Sequence, residues 1–474
     1  MGELVKSGLS LAWEMPLLGA RQLGSWLAPA AEGRRQAASG PDAVATVAQA
    51  ATSGLDLHQD GGLLGWLSQL ASCAEQALVQ KLPTLLTPQL LSPSAWAEVT
   101  VEVAQRSAVA ARQLAAGQAL LAAAELRSKG EVICLVLDLA KLIGVPEAPP
   151  FPLYELLGRA YGLGPFPALW GVEGLGREYG DSFWSQGVTP HDILSDARTS
   201  ELPARSLTML NAGIGLSFAM HQLQGTDGWT PEPELRGLVE EDVRLCRENA
   251  REGYVGASYE NLGLATRSFH PQLVPAVDRI LRQVAPEVLG YYWHGVGRAV
   301  FFDVVNLLPG SDGLLFEMAA ELAPDEPARL NAVAGAAWGY VLVTQRDPRI
   351  AAELLIGPYG ERLAGDGAFA NGVASAMMMR FDTTPDAPFI QHFLQYRPSP
   401  PDPHLQELWD RLVRVPGETA LEVYYPVIRQ HQRLGDIFEY RDLAVFVASL
   451  SQGAREAPGA GVSGDAAQAA RVPV

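Results

Sequence analysis

The chain has 474 residues, 48% of them hydrophobic and 19% charged, a balance that belongs to folded proteins and excludes a disordered one. Its net charge of −18 argues against nucleic acid as a partner, because phosphate binding needs a basic face. The length exceeds one ordinary core, so two domains or an array of repeats is expected.

Residues 1–30 open the chain as an amphipathic segment, with Leu9, Trp13, Leu17, Leu18 and Trp26 on one side. Glu3, Glu14 and Pro16 interrupt its apolar part, which makes it a poor signal peptide. It docks either on the protein's own core or on a membrane surface. Few basic residues flank it, so the core is the favoured destination.

Residues 31–146 read as an alanine-rich helical region that follows a short polar linker. Its clearest helix is "SAWAEVTVEVAQRSAVAARQLAAGQALLAAAELRSKG", with Ser94 as N-cap and Gly130 expected to end it behind Arg127 and Lys129. The prolines of "GVPEAPPFP" then mark a domain boundary. No run reaches the roughly 18 to 20 apolar residues of a membrane helix. The nearest, "VICLVLDLAKLIGV", is interrupted by Asp138 and Lys141. Cys73, Cys134 and Cys246 form no CxxC pair or disulfide framework, which fits a reducing cytoplasm.

Residues 150–450 carry a recurring unit: a polar residue, a small or polar one, an aliphatic one, a small one, then usually alanine. Its members begin at Glu155, Glu173, Glu260, His294, Asn331 and Asn371, with a looser one at Asn211. From Glu173 onward, with Asn211 lying one place early in its unit, the starts lie roughly 34 to 48 residues apart, the range of two-helix repeats. On a helix, positions i and i+3 share a face, so each unit sets a polar side chain beside glycine or alanine. Glycine within a helix costs up to about 1 kcal/mol against alanine, so its recurrence predicts close helix contacts at Gly176, Gly263 and Gly297.

Charged amphipathic stretches such as "TPEPELRGLVEEDVRLCRENA" lie between the units and read as outer helices. Only "ETALEVYYPVI" is acceptable as a strand. The fold class expected is all-α, a helical repeat of two-helix units with small-residue inner helices. Residues 451–474, rich in Gly, Ala and Ser, are expected to be a disordered tail.

The polar positions admit two readings. In one, they form a ladder of hydrogen bonds and ion pairs that fixes helix register, with Arg159, Arg177 and Arg298 as partners one turn after Glu155, Glu173 and His294. In the other, Glu173, Glu260, His294, Arg298 and Asn211 line a polar site for a small ligand. Either way His294 is expected to be buried beside a carboxylate from another unit, Glu260 or Glu173, with Arg298 holding that carboxylate ionised. The other histidines lie mostly beside turn residues and read as solvated. No HExxH or ExxH pattern, GxSxG elbow or phosphate-binding loop is present, so the sequence assigns no metal, cofactor or catalytic residue.

The order of "WGVEGLGREYGDSF", "LNAGIGLSFAMHQL", "SYENLGLATRSF", "YYWHGVGRAVFF" and "AVAGAAWGYVLV" resembles the UnbL-like domain of unknown function found in enediyne natural-product gene clusters. The resemblance covers roughly residues 150 to 390, and the helical region of about 145 residues before it departs from the family. It implies a bacterial cytoplasmic protein tied to secondary metabolism, and it carries over no catalytic residues. The expected function is an accessory protein that binds or processes a hydrophobic small molecule. The alternative is a non-catalytic scaffold for a protein partner or a lipid surface. Convergence of Glu173, Glu260 and His294 on one place favours the first, and dispersal along an open array favours the second.

Overall fold

A computed structural model describes residues 119–146, 151–194, 200–303, 306, 310 and 312–456. The expectations for residues 1–30, for most of 31–146 and for 457–474 lie outside them. All regular elements among the described residues are helical. In chain order they are α1 (Ala119–Ile143), α2 (Leu153–Gly162), α3 (Pro165–Ser185), α4 (Leu207–Gln222), α5 (Glu232–Asn249) and α6 (Val255–Phe269). Next come α7 (Val274–Val284), α8 (Leu289–Phe301), α9 (Asp312–Leu322), α10 (Glu326–Thr344), α11 (Pro348–Ile356) and α12 (Tyr359–Leu363). The chain continues with α13 (Ala368–Thr383), α14 (Pro388–Leu394), α15 (Pro403–Trp409), α16 (Val415–Thr419), α17 (Tyr425–Gln430) and α18 (Leu443–Glu456). None of these helices is long and apolar enough to cross a membrane.

Local chemistry explains several starts. Asp325, Asp347 and Asp402 each accept a backbone N–H of the following turn, and each is followed by proline in the first turn. A capping carboxylate satisfies an orphan donor, and proline there loses no bond it could have made.

The stretch read as a strand is helical instead. It lies in a continuous run from 403 to 430, in which π turns at Asp410–Arg414 and Ala420–Tyr424 separate α15, α16 and α17. Each π turn contains a carbonyl, of Leu412 or Glu422, whose partner four residues on is a proline without an N–H. Two further expectations need correction. Gly130 does not end its helix but lies within α1, because packing on α3 and α10 outweighs one glycine's local penalty. Residues 451–456 belong to α18 rather than to a disordered tail, since α18 packs on α17.

The recurring units supply the architecture. Helices α3, α4, α6, α8, α10 and α13, which hold Glu173, Asn211, Glu260, His294, Asn331 and Asn371, pack each on the next in that order. Helix α13 then returns to α3, where Arg380 Nη1 donates to the carbonyls of Pro165 and Phe166 at 2.9 and 3.2 Å, closing a ring of six. These helices are buried on almost every side; in α8 every residue from Tyr291 to Phe301 is buried. Helices α5, α7, α9 and α11 lie outside them and turn only part of their surface inward, as in α5, where Leu235, Val239 and Val243 are buried. Helix α2, with Glu155, is not in the ring but packs on α3.

Glycine makes the inner contacts possible. A Cβ on Gly297 would overlap the carbonyl oxygen of Ala332, one on Gly263 that of Tyr292, and one on Gly176 that of Leu210. Further glycines lie on the polar residues themselves. Gly213 meets the backbone of Glu173, Gly295 that of Glu260, and Gly335 that of His294. The glycine of one helix thus brings the polar residue of its neighbour close to the ring interior.

A strap crosses one face. The segment 431–442 includes a 3-10 turn, Leu434–Phe438, whose residues are all buried. Gly435 N donates to Gly253 O at 2.9 Å, and Tyr291 donates its hydroxyl proton to Asp436 at 3.0 Å. Asn331 accepts from Tyr440 N at 2.7 Å, and Asn371 donates to Arg441 O at 2.8 Å. Two of the recurring polar residues therefore hold the strap rather than enter the interior.

Candidate functional site

Four of the polar positions meet inside the ring. His294 Nδ1 lies 2.7 Å from Glu260 Oε1, and Arg298 Nη1 donates to Glu260 Oε2 at 2.9 Å. Arg298 Nη2 donates to Glu173 Oε1, so one guanidinium grips carboxylates from two other helices. Helix α8 carries both His294 and Arg298, one turn apart and therefore on one face. Helix α3 is not a neighbour of α8 in the packing order, so the Glu173–Arg298 pair spans the interior. Every side chain of the four is at most 4% exposed.

Aromatic rings enclose the cluster. The Arg298 guanidinium sits 4.7 Å from the centre of the Trp338 ring, a cation–π contact strengthened by the burial of both side chains. Trp338 meets Trp170 edge-on at 6.4 Å between ring centres, His294 at 6.2 Å and Phe438 of the strap at 5.6 Å. Phe438 also reaches His294, at 6.2 Å. Trp170, Trp338 and Phe438 are fully buried.

The environment separates the two carboxyls. Burial pushes Glu173 up, and Arg298 only partly offsets it. Burial would raise Glu260 as well, but Arg298 and His294 together outweigh it and hold Glu260 below the usual carboxylate range. Burial works against the charge on Arg298, yet Glu173 and Glu260 prevail and keep its pKa above the ordinary value. Arg298 and Glu260 offset one another, and the upward push on Glu173 favours its neutral form, which leaves no uncompensated carboxylate in the cluster. That is the charge state a dry interior favours.

The cluster runs as a chain with two open ends. Glu173 Oε2 and His294 Nε2 are buried without hydrogen-bond partners, as are Arg298 Nε, Trp170 Nε1 and Trp338 Nε1. Buried polar atoms are satisfied in most native proteins, so five such atoms on residues linked one to the next by these contacts mark a place equipped to hydrogen-bond something further.

The structure thus brings together Glu173, Glu260, His294 and Arg298, while the side-chain hydrogen bond of Asn211 goes to its own helix. Asn211 Nδ2 donates to Leu207 O at 2.8 Å, its backbone carbonyl accepts from Ser258 Oγ at 2.8 Å, and its Oδ1 is buried without a partner. Arg177, expected beside Glu173, instead pairs with Glu178 and approaches Asp181 at 3.9 Å. Glu155 and Arg159 form their expected pair, but on the surface, 62% and 46% exposed. His270 is buried rather than solvated, at the C-terminal end of α6.

Sequence reasoning missed the aromatic wall. Trp170 stands three residues before Glu173 and Trp338 seven after Asn331, spacings that keep each on the face of its polar residue. Phe438 arrives from a strap with no periodic signal of its own. Among the described residues no group of three His, Cys, Asp or Glu side chains has the arrangement of a metal site. Compared with protein-family models, curated proteins and solved structures, the chain matches none.

Proposed function

We propose that the protein binds an apolar small molecule at the ring centre and hydrogen-bonds its polar end to the Glu173–Arg298–Glu260–His294 cluster. The observation that carries this reading is the set of buried, unpartnered polar atoms on those residues and on the tryptophans around them. Small-molecule sites are mostly apolar with a few convergent polar groups, and this centre has both. The resemblance to the UnbL-like family adds the context of an accessory protein in bacterial, cytoplasmic secondary metabolism of the enediyne type.

Convergence on one interior also supports this reading over a scaffold for a protein or lipid partner, which would spread its polar groups along an open array. Native mass spectrometry of the purified chain tests it. A co-purifying molecule is expected on the parent and lost in His294→Ala, with the helical circular dichroism of both proteins alike. A parent chain that carries no small molecule from any producing extract, yet retains a protein partner, would replace this reading with the scaffold.

A further inference from the structure

We infer that the ring centre is an acid–base catalytic site, in which His294 Nε2 takes a proton from a bound apolar substrate and the Glu173 carboxyl gives one back. The inference rests on the binding proposed above and names what that site does. It begins with the Glu260–His294 contact of 2.7 Å. A carboxylate on Nδ1 fixes that nitrogen as the proton-bearing one and leaves Nε2 as a free lone pair, the orientation a general base needs. Glu260 is well suited to the task because Arg298 holds its other oxygen at 2.9 Å, so its position and its charge are both fixed.

Glu173 is the complementary group. Its Oε1 accepts from Arg298, and its Oε2 has no partner. Burial favours its protonated form, so it can donate where Glu260 cannot. Two carboxyls pushed in opposite directions in one buried place take different roles: Glu173 can donate a proton, and Glu260 stays an anion that orients His294. His294 Nε2 and Glu173 Oε2 are the two open ends of one hydrogen-bonded chain, both on residues that contact the one Arg298–Trp338 pair or its bonded partners, and the proposed substrate lies between them.

The chemistry this supports is redox-neutral: an isomerisation or an elimination on an apolar, oxygen-bearing substrate. In an elimination, a C–H bond gives its proton to His294, its electron pair forms the new π bond, and the bond to the leaving oxygen breaks. Glu173 protonates that oxygen. The cluster ends with the same number of protons, His294 having gained one and Glu173 having lost one, so its net charge is unchanged. No oxidant, reductant or nucleophile is required. Arg298 is a positioning residue in this scheme, since its charge holds both carboxyls in place and never titrates in the working range.

The probe reaction is the base-promoted ring opening of nitrobenzisoxazole. Its C–H proton is removed, its N–O bond breaks and a coloured nitrophenolate forms. Phe438, which covers His294 and Trp338, is the natural place to widen access, so parent and Phe438→Ala are both assayed. Saturable turnover is expected, with a fall of about a hundredfold or more in His294→Ala. His294→Gln serves the same purpose should the alanine variant fail to fold. Glu173→Gln should lose more on unsubstituted benzisoxazole, whose phenolate leaves poorly, than on the nitro compound. Equal losses on the two probes overturn the acid role of Glu173.

The nitroaromatic also quenches nearby tryptophan fluorescence, which reports its binding beside Trp170 and Trp338. Quenching that depends on His294, with no turnover above the His294→Ala rate, overturns the inference and leaves the binding reading intact. An absence of quenching in both parent and Phe438→Ala removes the binding reading, and this inference with it.

Discussion

Asp242 lies on the buried side of α5, 1% exposed, with Val239, Val243 and Cys246 buried on the same helix and its Oδ1 unpartnered. Burial, with a smaller push from Glu241, raises its pKa from 3.8 to about 8. A raised folded pKa means that the native state keeps a proton which the unfolded state has released. The contribution of Asp242 to stability is therefore fully present below about pH 4 and is lost as pH rises toward about 8. Asp242→Asn keeps the shape and removes the proton. Chemical denaturation should show the variant equal to the parent at pH 4 and more stable by a few kcal/mol at pH 8, a difference that grows between the two. A gap independent of pH would show that Asp242 is not the titrating group. The central cluster behaves differently, because its charges compensate one another. Glu260→Ala leaves Arg298 and His294 buried without their shared anion, and should cost about 3 to 5 kcal/mol in urea unfolding. Glu260→Gln, which still accepts a hydrogen bond, should cost less.

At the scale of the element, close approach is the controlling feature. Gly297 of α8 lies on the Ala332 carbonyl of α10, and Gly335 of α10 lies on the backbone of His294. Gly297→Leu must push these helices apart, so thermal unfolding should register a loss of about 1 to 3 kcal/mol or more. A midpoint equal to the parent's would mean the contact is not tight. Arg380 of α13 has a different role. It is fully buried, donates to carbonyls of α3 and, at 3.4 Å, to Leu342 O of α10, and lies over the rings of Phe166 and Phe389. Burial, with Arg346 nearby, pulls its pKa down to about 9. Arg380→Met removes these charge-assisted bonds and should lower stability on the order of 2 kcal/mol by urea unfolding. Arg380→Lys should not restore it, since an ammonium cannot bridge three carbonyls from one planar fork.

For the molecule as a whole, the ring and the strap work together. The strap binds residues at the N-terminal ends of α6, α8, α10 and α13 through Gly253, Tyr291, Asn331 and Asn371, and it sets Phe438 against His294 and Trp338. Removing residues 431–474 should expose that face. Acrylamide should then quench tryptophan fluorescence more strongly than in the full chain, while most helical circular dichroism persists. Unchanged quenching would show that the strap does not control access to Trp338.

Much of this was legible in the sequence because it depends on geometry that repeats within a few residues. Polar and small residues at i and i+3 gave the helical units, and glycines recurring in place of alanine gave the close contacts at Gly176, Gly263 and Gly297. A buried histidine and arginine one turn apart required an anion, which Glu260 supplies. The rest was decided by tertiary structure. Arg298 reaches Glu173 across 125 positions of chain, whereas Arg177, one turn from that glutamate, turns to Glu178. Which side chain a long arginine meets depends on how packing rotates each helix about its axis, and no short-range period records that angle. The closing of α13 on α3 and the arrival of Phe438 have the same origin. Sequence periodicity specifies which face of a helix is buried; only the packed ring specifies what that face meets.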